Sequence, residues 1–169
     1  MTDLSLEEIN QVSPYRVECG EGIGTFRFES EKGVSYAINF IDDDIIRVAD
    51  SYQLVIANLN HKKSPRDKKV KETILCIVEE FFNKNQSVLV YICETSDGKQ
   101  LMRNRLFTYW FSTYSNRLRY TLVQSSVKDE YDVINNVALI VRNDNPHISE
   151  IMSEFSTTVN LLSDKPDER

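Results

Sequence analysis

Cysteine and histidine are scarce in this chain of 169 residues, which contains three cysteines and two histidines. Cys19, Cys76 and Cys93 are too few and too widely spaced for a disulfide framework or for the CxxC pairs of a zinc site. His61 and His147 lie far apart in the sequence, so they form no local zinc triad. We therefore predict no metal and no cofactor, and the reduced thiols favour a cytoplasmic location.

Long apolar runs are also missing. No run approaches the roughly 20 residues of a membrane span, and residues 1–10 lack the basic-then-apolar order of a signal peptide. The motif G-x-S-x-G does not occur, which argues against a serine hydrolase. With 41% hydrophobic residues the chain has enough apolar side chains for a core. We predict a single domain over residues 1–162, followed by a polar, disordered tail over residues 163–169.

The charge is negative overall but unevenly distributed. A net charge of −6 argues against a general binder of nucleic acids or anionic membranes. Residues 61–71 nevertheless carry six bases and one acid, and residues 98–128 carry six bases and no acid. Any contact with a polyanion is therefore expected to use these two basic segments.

Hydrophobic periodicity predicts an α+β fold with a predominantly antiparallel sheet of about seven strands and three main helices. The predicted order is β-β-β-β-α-β-α-β-β-α. The strands are expected over Tyr15–Cys19, Thr25–Ser30, Tyr36–Phe40, Tyr52–Leu59, Val88–Cys93, Arg119–Ser126 and Val133–Arg142. A short helix is expected over Leu4–Asn10, and the main helices after Ser64-Pro65, from Asp97 to Tyr114, and after Asn145-Pro146. Each main helix follows a capping residue, with Ser64 and Asp97 in capping-box patterns.

Two motifs resemble ligand sites but are better explained as structure. Gly20-x-Gly22-x-Gly24 suggests a phosphate loop, yet a strand pattern follows it where such a loop requires a helix. We therefore expect a hairpin or bulge. Asp42, Asp43 and Asp44 lack the spacing of a calcium loop, so we expect a solvated loop with a brief helical turn at Ile45–Val48.

The most informative segment joins the apolar strand ending at Cys93 to the helix that follows. Candidate ligand- or partner-binding residues here are Cys93, Glu94, Asp97, Gly98, Gln100, Arg103, Arg105 and Trp110. Strand ends and helix N-termini bring loop side chains and backbone N–H groups together, and arginine binds carboxylate or phosphate in bidentate fashion. The competing interpretation is an N-cap at Asp97 with surface ion pairs on the helix, which is the commoner arrangement. No residue of the segment is assigned a catalytic role.

Aromatic residues are concentrated in and after the same helix. The set comprises Phe107, Tyr109, Trp110, Phe111, Tyr114 and Tyr120, with Arg117 and Arg119 among them. The set is too broad for one narrow stripe, so some of these rings are expected to be exposed or to meet a partner. Core packing is the first interpretation, a protein interface the second, and stacking on single-stranded nucleic acid the third.

The central residues resemble a family of small bacterial proteins that is known only as a domain of unknown function. The resemblance rests on Tyr91-Ile92-Cys93-Glu94-Thr95-Ser96-Asp97-Gly98-Lys99-Gln100, on Arg103-Asn104-Arg105-Leu106-Phe107 and on Trp110-Phe111. It extends from Gly24 to Phe155, with Glu94 and Lys99 where the family pattern has aspartate and arginine. The resemblance implies one domain and draws attention to Cys93–Trp110, and it implies no activity.

Three functions are compatible with these observations. The leading hypothesis is a non-enzymatic cytoplasmic protein-interaction module, with a homodimer as one form, which uses the helix from Gly98 to Tyr114. The second is an enzyme or sensor that binds a small anionic ligand at residues 93–105. The third is a nucleic-acid-binding protein that uses segments 61–71 and 98–119 and is sensitive to salt.

Overall fold

The computed structural model describes residues 1–93, 100–128, 131 and 133–163, and for residues 93 and 100–104 it describes the backbone alone. The described residues form an α+β fold with four α-helices and a seven-stranded, mostly antiparallel sheet, which confirms the predicted class. The helices are α1 (Leu6–Val12), α2 (Lys68–Lys84), α3 (Gln100–Ser112) and α4 (Ile148–Ser163). The strands are β1 (Glu18–Cys19), β2 (Thr25–Glu29), β3 (Ser35–Asp43), β4 (Ser51–Asn58), β5 (Val88–Cys93), β6 (Tyr120–Lys128) and β7 (Ile134–Arg142). None of the described helices has the length and apolarity needed to span a membrane.

The chain divides into two compact units. The first comprises Met1–Ile41 and Leu54–Gln86, and the second comprises Asp42–Gln53 and Ser87–Arg169. The single domain expected for residues 1–162 stays a prediction. The polar tail predicted from residue 163 lies outside the described residues, apart from Ser163 at the end of α4.

Alternating aromatic residues build the core of the first unit. On β2, Phe26 and Phe28 are buried and Arg27 between them is exposed, as the two-residue period of a strand requires. β2 pairs antiparallel with β1 on one side and with β3 on the other. Phe40 of β3 stacks on Phe81 of α2 with the ring centroids 4.6 Å apart. Phe81 is completely buried, so this stack anchors α2 in the unit.

α2 begins at Lys68 and not at Pro65, because a different residue caps it. Its N-cap is Asp67, whose carboxylate accepts a hydrogen bond from the backbone N–H of Lys69 at 2.9 Å. The hydroxyl of Tyr15 donates to the other oxygen of Asp67 at 2.7 Å. Ser64, the predicted cap, instead forms a hydrogen bond with the hydroxyl of Tyr36. The prediction of a Ser64 cap is wrong, since a distant tyrosine helps to hold Asp67 at the start of the helix.

The glycine-rich segment is a turn, as predicted. Gly22 and Gly24 have positive φ angles of 93° and 74°, and β2 begins directly afterwards at Thr25. A side chain at Gly24 would place its Cβ 3.0 Å from the carbonyl oxygen of Phe40. Both the backbone conformation and the close approach therefore require glycine at position 24.

The helical turn predicted at Ile45–Val48 is wrong. β3 continues through Asp43, and residues 44–50 have no regular secondary structure. Asp43 accepts a hydrogen bond from the backbone N–H of Ile45 at 2.7 Å. Glu154 of α4 accepts two more, from Arg47 at 2.9 Å and from Val48 at 3.1 Å. Side-chain carboxylates thus satisfy the N–H groups that would otherwise favour a helical turn.

The second unit is built on a three-stranded antiparallel sheet with β7 at its centre. β7 pairs with β5 on one side and with β6 on the other. One face of these strands packs against α4, where Ile151 and Phe155 are buried. The strand residues of this core are Val88, Val90, Val127, Val137, Leu139 and Val141. The opposite face of the same strands lies beneath α3.

Candidate functional site

α3 is fixed over three rows of cross-strand neighbours in the second unit. The rows are Leu89–Ile140–Leu122, Tyr91–Ala138–Gln124 and Cys93–Asn136–Ser126, taken across β5, β7 and β6. In the middle row, Tyr91 stacks on Phe107 of α3 with the ring centroids 4.3 Å apart. At the β6 end of that row, Gln124 Nε2 donates to Thr108 Oγ1 of α3 at 2.6 Å. These two contacts hold α3 from both sides.

The last row contains a buried amide that is only half satisfied. Asn136 is 7% exposed, and its Oδ1 accepts a hydrogen bond from Ser126 Oγ at 2.9 Å. Its Nδ2 has no hydrogen-bond partner in the described part of the chain. Turning the amide over exchanges its ends and still leaves one end unpaired. A buried polar group without a partner costs about 1–3 kcal/mol, so Asn136 lowers stability unless another molecule supplies an acceptor.

The outward side of α3 combines a cation with large apolar side chains. Phe107 is buried, whereas Arg105 is exposed and Leu106 and Tyr109 are 41% and 55% exposed. Successive helix residues are rotated by about 100°, which places Arg105 and Tyr109 opposite Phe107. The prediction that this helix exposes part of its aromatic set is confirmed for Tyr109.

The turn that follows α3 exposes a leucine on a firmly held main chain. Leu118 is 81% exposed in the short 3₁₀ turn Arg117–Arg119. Its carbonyl oxygen accepts a hydrogen bond from Asn143 Nδ2 at 2.8 Å. The backbone N–H of Asn143 donates to the carbonyl of Arg119 at 2.9 Å. Because both bonds fix the turn, Leu118 projects from a defined position.

The hairpin of β6 and β7 exposes two more apolar residues. Tyr131 at the tip is 77% exposed, and Ile134 at the start of β7 is 49% exposed. Together with the residues on α3 and the turn they form what we call the α3–β6 surface. Its exposed members are Arg105, Leu106, Tyr109, Arg117, Leu118, Arg119, Lys128, Tyr131 and Ile134.

The charges of the α3–β6 surface are predominantly positive. Arg105, Arg117, Arg119 and Lys128 are exposed, and the sequence has no acid from residue 98 to residue 128. Asp144 is an acid near Arg119, but it forms a hydrogen-bonded ion pair with Arg142 through Nε and Oδ1 at 2.8 Å. The hydrogen bonds from Arg142 lower the pKa of Asp144, and the charge of Arg119 contributes further. Asp144 is thus engaged mainly by Arg142.

The predicted site residues are only partly brought together. Glu94, Asp97 and Gly98 lie outside the described residues. Cys93 ends β5 opposite Asn136, and Gln100 and Arg103 lie in the first turn of α3, where only the backbone is described. Arg105 is exposed and Trp110 is half-buried. Because the two are five positions apart on α3, they lie on different sides of the helix.

Sequence reasoning missed Asn136 and Leu118. Asn135-Asn136 stands inside the apolar pattern of a predicted strand, and a polar pair there is the signal that could have been followed. No local pattern indicates that Leu118 is exposed, because the two hydrogen bonds to Asn143 that set the turn join residues distant in the sequence.

A separate open groove lies between α4 and the irregular segment that follows β3. Its volume is about 1070 Å³. The lining residues are Asp44, Ile45, Arg47, Val48, Ser149, Glu150, Ser153, Glu154, Thr157, Thr158, Leu161 and Leu162. Glu154 is already bound to the backbone of Arg47 and Val48, so its carboxylate has a structural role.

Comparison with known protein families gives a match over residues 66–157, which is more than half of the 169-residue chain. The matched stretch includes α2, β5, α3, the β6–β7 hairpin and the first part of α4. It therefore includes the α3–β6 surface and the row that contains Asn136. Comparison with curated proteins gives no match. The chain belongs to the family described as "Family of unknown function (DUF6169)".

Proposed function

We propose that this protein is a protein-interaction module that binds its partner through the α3–β6 surface. The observation that carries the proposal is the combination of exposed large apolar side chains with exposed cations on that surface. Leu118 is 81% exposed and Tyr131 is 77% exposed, and no acid occurs from residue 98 to residue 128. Contiguous exposed apolar side chains are unusual in monomers, and aromatic residues and arginine are enriched at protein interfaces.

The degree of aromatic exposure favours a protein partner over single-stranded nucleic acid. Stacking on successive bases needs several exposed rings along a basic groove. On α3, Phe107 is buried and Trp110 and Phe111 are half-buried, so Tyr109 is the one fully accessible ring in the described part of this helix. The other basic segment, 61–71, lies in the first unit. The net charge of −6 also disfavours a polyanion as the partner.

The proposal extends to the cellular setting and to self-association. We infer a bacterial, cytoplasmic protein from the family resemblance and from the free thiols of Cys19 and Cys76. A homodimer is one form that the interaction could take. In that form the same surface would be used by both copies, as a twofold interface requires.

The test is affinity purification of the tagged protein from its native host, with bound proteins identified by mass spectrometry. The surface variant carries Leu106→Ser, Tyr109→Ser and Leu118→Ser. The control variant carries Val12→Ser and Ile23→Ser, which remove exposed apolar side chains from the first unit. The proposal predicts a stoichiometric protein that is retained by wild type and control and lost from the surface variant. A wild-type protein that is monomeric and retains no protein would contradict it.

A second candidate function is recognition of a small anionic ligand near residues 93–105. Asn136 supports it, because its buried Nδ2 could donate to a carboxylate or phosphate oxygen close to the end of β5. A thermal-shift screen of carboxylates and nucleotides tests the idea in wild type and in Asn136→Val. A compound that stabilises wild type alone would support a ligand at this row. No response to any compound would count against it.

A further inference from the structure

We propose that β6 is a docking strand to which an extended, acidic segment of the partner protein adds as a further strand. This inference rests on the proposed function and names its binding mode and the chemistry of the partner. Edge strands present backbone N–H and C=O groups on their outer side, and many recognition domains bind extended peptides in this way.

The position and length of β6 suit strand addition. β6 pairs with β7 along all nine of its residues, and no described strand pairs with it on the other side. Nine residues of antiparallel strand extend about 30 Å, which is long enough to pair with a typical strand. The bonds that fix the turn before Tyr120, between Asn143 and residues 118 and 119, hold the start of this edge in place.

Exposed cations lie at both ends of β6 and beside its middle. Arg119 directly precedes the strand and Lys128 ends it. Arg105 is placed beside the middle by α3, because Thr108, three residues further along, is hydrogen bonded to Gln124. Residues three apart on a helix lie on the same side. An extended segment along β6 would therefore meet three positive charges, which are complementary to an acidic sequence.

The same charges disfavour a second copy of the chain at this edge. Twofold pairing of two β6 strands about Gln124 would be antiparallel and would set Lys128 of one copy opposite Tyr120 of the other. Lys128 would then lie next to the other copy's Arg119. Like charges in neighbouring positions on paired strands destabilise the pairing, and basic residues at edges prevent self-association. We therefore assign the edge to an acidic partner segment.

Labelled synthetic peptides of about ten residues test both the charge and the pairing. One alternates valine with glutamate, and its counterpart alternates valine with lysine. Further versions of the acidic peptide carry one proline each, at successive positions. Binding is measured by fluorescence anisotropy, and the binding surface is located by NMR on the labelled protein. Proline in the peptide removes a backbone donor without disturbing the fold of the protein.

The edge variant carries Arg105→Glu, Arg119→Glu and Lys128→Glu. The matched control reverses the same number of exposed cations in the first unit, as Lys62→Glu, Lys63→Glu and Arg66→Glu. We expect the acidic peptide to bind wild type and control and to shift the amide signals of β6. We expect the edge variant to bind it about tenfold or more weakly. Proline should weaken binding at every second position, as strand pairing requires.

Equal binding of the acidic and basic peptides, or no binding of either, would overturn the inference. Equal binding by edge variant and control would do the same, as would proline effects without alternation. A wild-type dimer that the edge variant abolishes would assign β6 to a second copy. The edge variant is also taken through the purification from the native host. A partner retained by it but lost from the Leu106, Tyr109 and Leu118 variant would leave the proposed function standing and remove only the strand addition.

Discussion

Replacing Asn136 with valine is expected to stabilise the protein, which is unusual for a change at a buried position. Asn136 is 7% exposed, and one end of its amide has no partner in the described part of the chain. Asn85 provides a matched comparison because it is 8% exposed and both of its ends are bonded. Its Oδ1 accepts from the backbone N–H of Thr2 at 2.8 Å, and its Nδ2 donates to the carbonyl of Phe81 at 3.0 Å.

The expected free-energy changes have opposite signs at the two asparagines. In Asn136→Val, removal of the unpaired nitrogen relieves about 1–3 kcal/mol, and loss of the bond from Ser126 costs about 0.5–1.5 kcal/mol. Ser126 is exposed, so its hydroxyl can bond to water afterwards. We expect a net gain of about 1 kcal/mol. In Asn85→Val two satisfied hydrogen bonds are lost, which we expect to cost about 2 kcal/mol.

Urea unfolding followed by two signals measures both changes. Trp110 is the only tryptophan, so its fluorescence reports on the second unit, which contains Asn136. Far-ultraviolet circular dichroism reports on the helices of both units. If Asn136→Val lowers the unfolding free energy as much as Asn85→Val does, the amide of Asn136 is fully bonded in solution and the argument from its free end is refuted.

Three further changes have defined outcomes. Leu118→Ser should change the free energy of unfolding by no more than about 0.5 kcal/mol while weakening partner binding, since its side chain is 81% exposed. Asp67→Ala should cost about 1 kcal/mol at neutral pH through loss of the α2 cap. Although desolvation opposes it, the hydrogen bond from Tyr15 lowers the pKa of Asp67, so the cost should shrink as pH falls below about 4. Iodoacetamide should alkylate exposed Cys19 before Cys76, because burial raises the pKa of the Cys76 thiol.

Controls for these three predictions are direct. Val12→Ser, which changes another exposed apolar residue, should leave partner binding intact. The acid dependence has its sign because a lowered folded-state pKa contributes stability above the unfolded value and loses it as pH falls through the folded value. A cost of Asp67→Ala that stays constant into acid would contradict the assigned role of the charge. Cys19 and Cys76 should react at similar rates in urea, and equal rates in the folded protein would show that burial does not protect Cys76.

Local patterns were sufficient to predict the elements that carry the core. The alternation of Phe26 and Phe28 marks β2, and both residues are buried. The helical spacing of Ile74, Ile77 and Phe81 marks α2, and these three are among its most buried residues. Such signals depend on one element and the face it buries, so they can be read without knowing which element lies opposite.

Features set by distant partners could not be predicted from local sequence. Both Ser64 and Asp67 are good caps, and the hydrogen bond from Tyr15 helps to place Asp67 at the helix start. The segment after β3 is irregular because Glu154, more than a hundred residues later, binds its backbone N–H groups. Each choice depends on one long-range hydrogen bond or pair of bonds, which no window of sequence contains.

The candidate site was predicted in location more than in composition. The sequence indicated α3 and the end of β5, and Arg105 and Tyr109 are indeed exposed there. It did not indicate Leu118, whose exposure follows from bonds to Asn143, or Asn136, whose amide is buried in the centre of three strands. The predicted residues 94–99 lie outside the described part of the chain.

Hydrogen–deuterium exchange of the protein alone and with its co-purified partner is the most direct test of the α3–β6 surface. We expect exchange to slow in α3, in the turn around Leu118 and along β6 when the partner binds. We expect no change in α1 and α2 of the first unit. Protection confined to the first unit, or to the groove beside α4, would show that the partner binds elsewhere and would contradict the assignment of this surface.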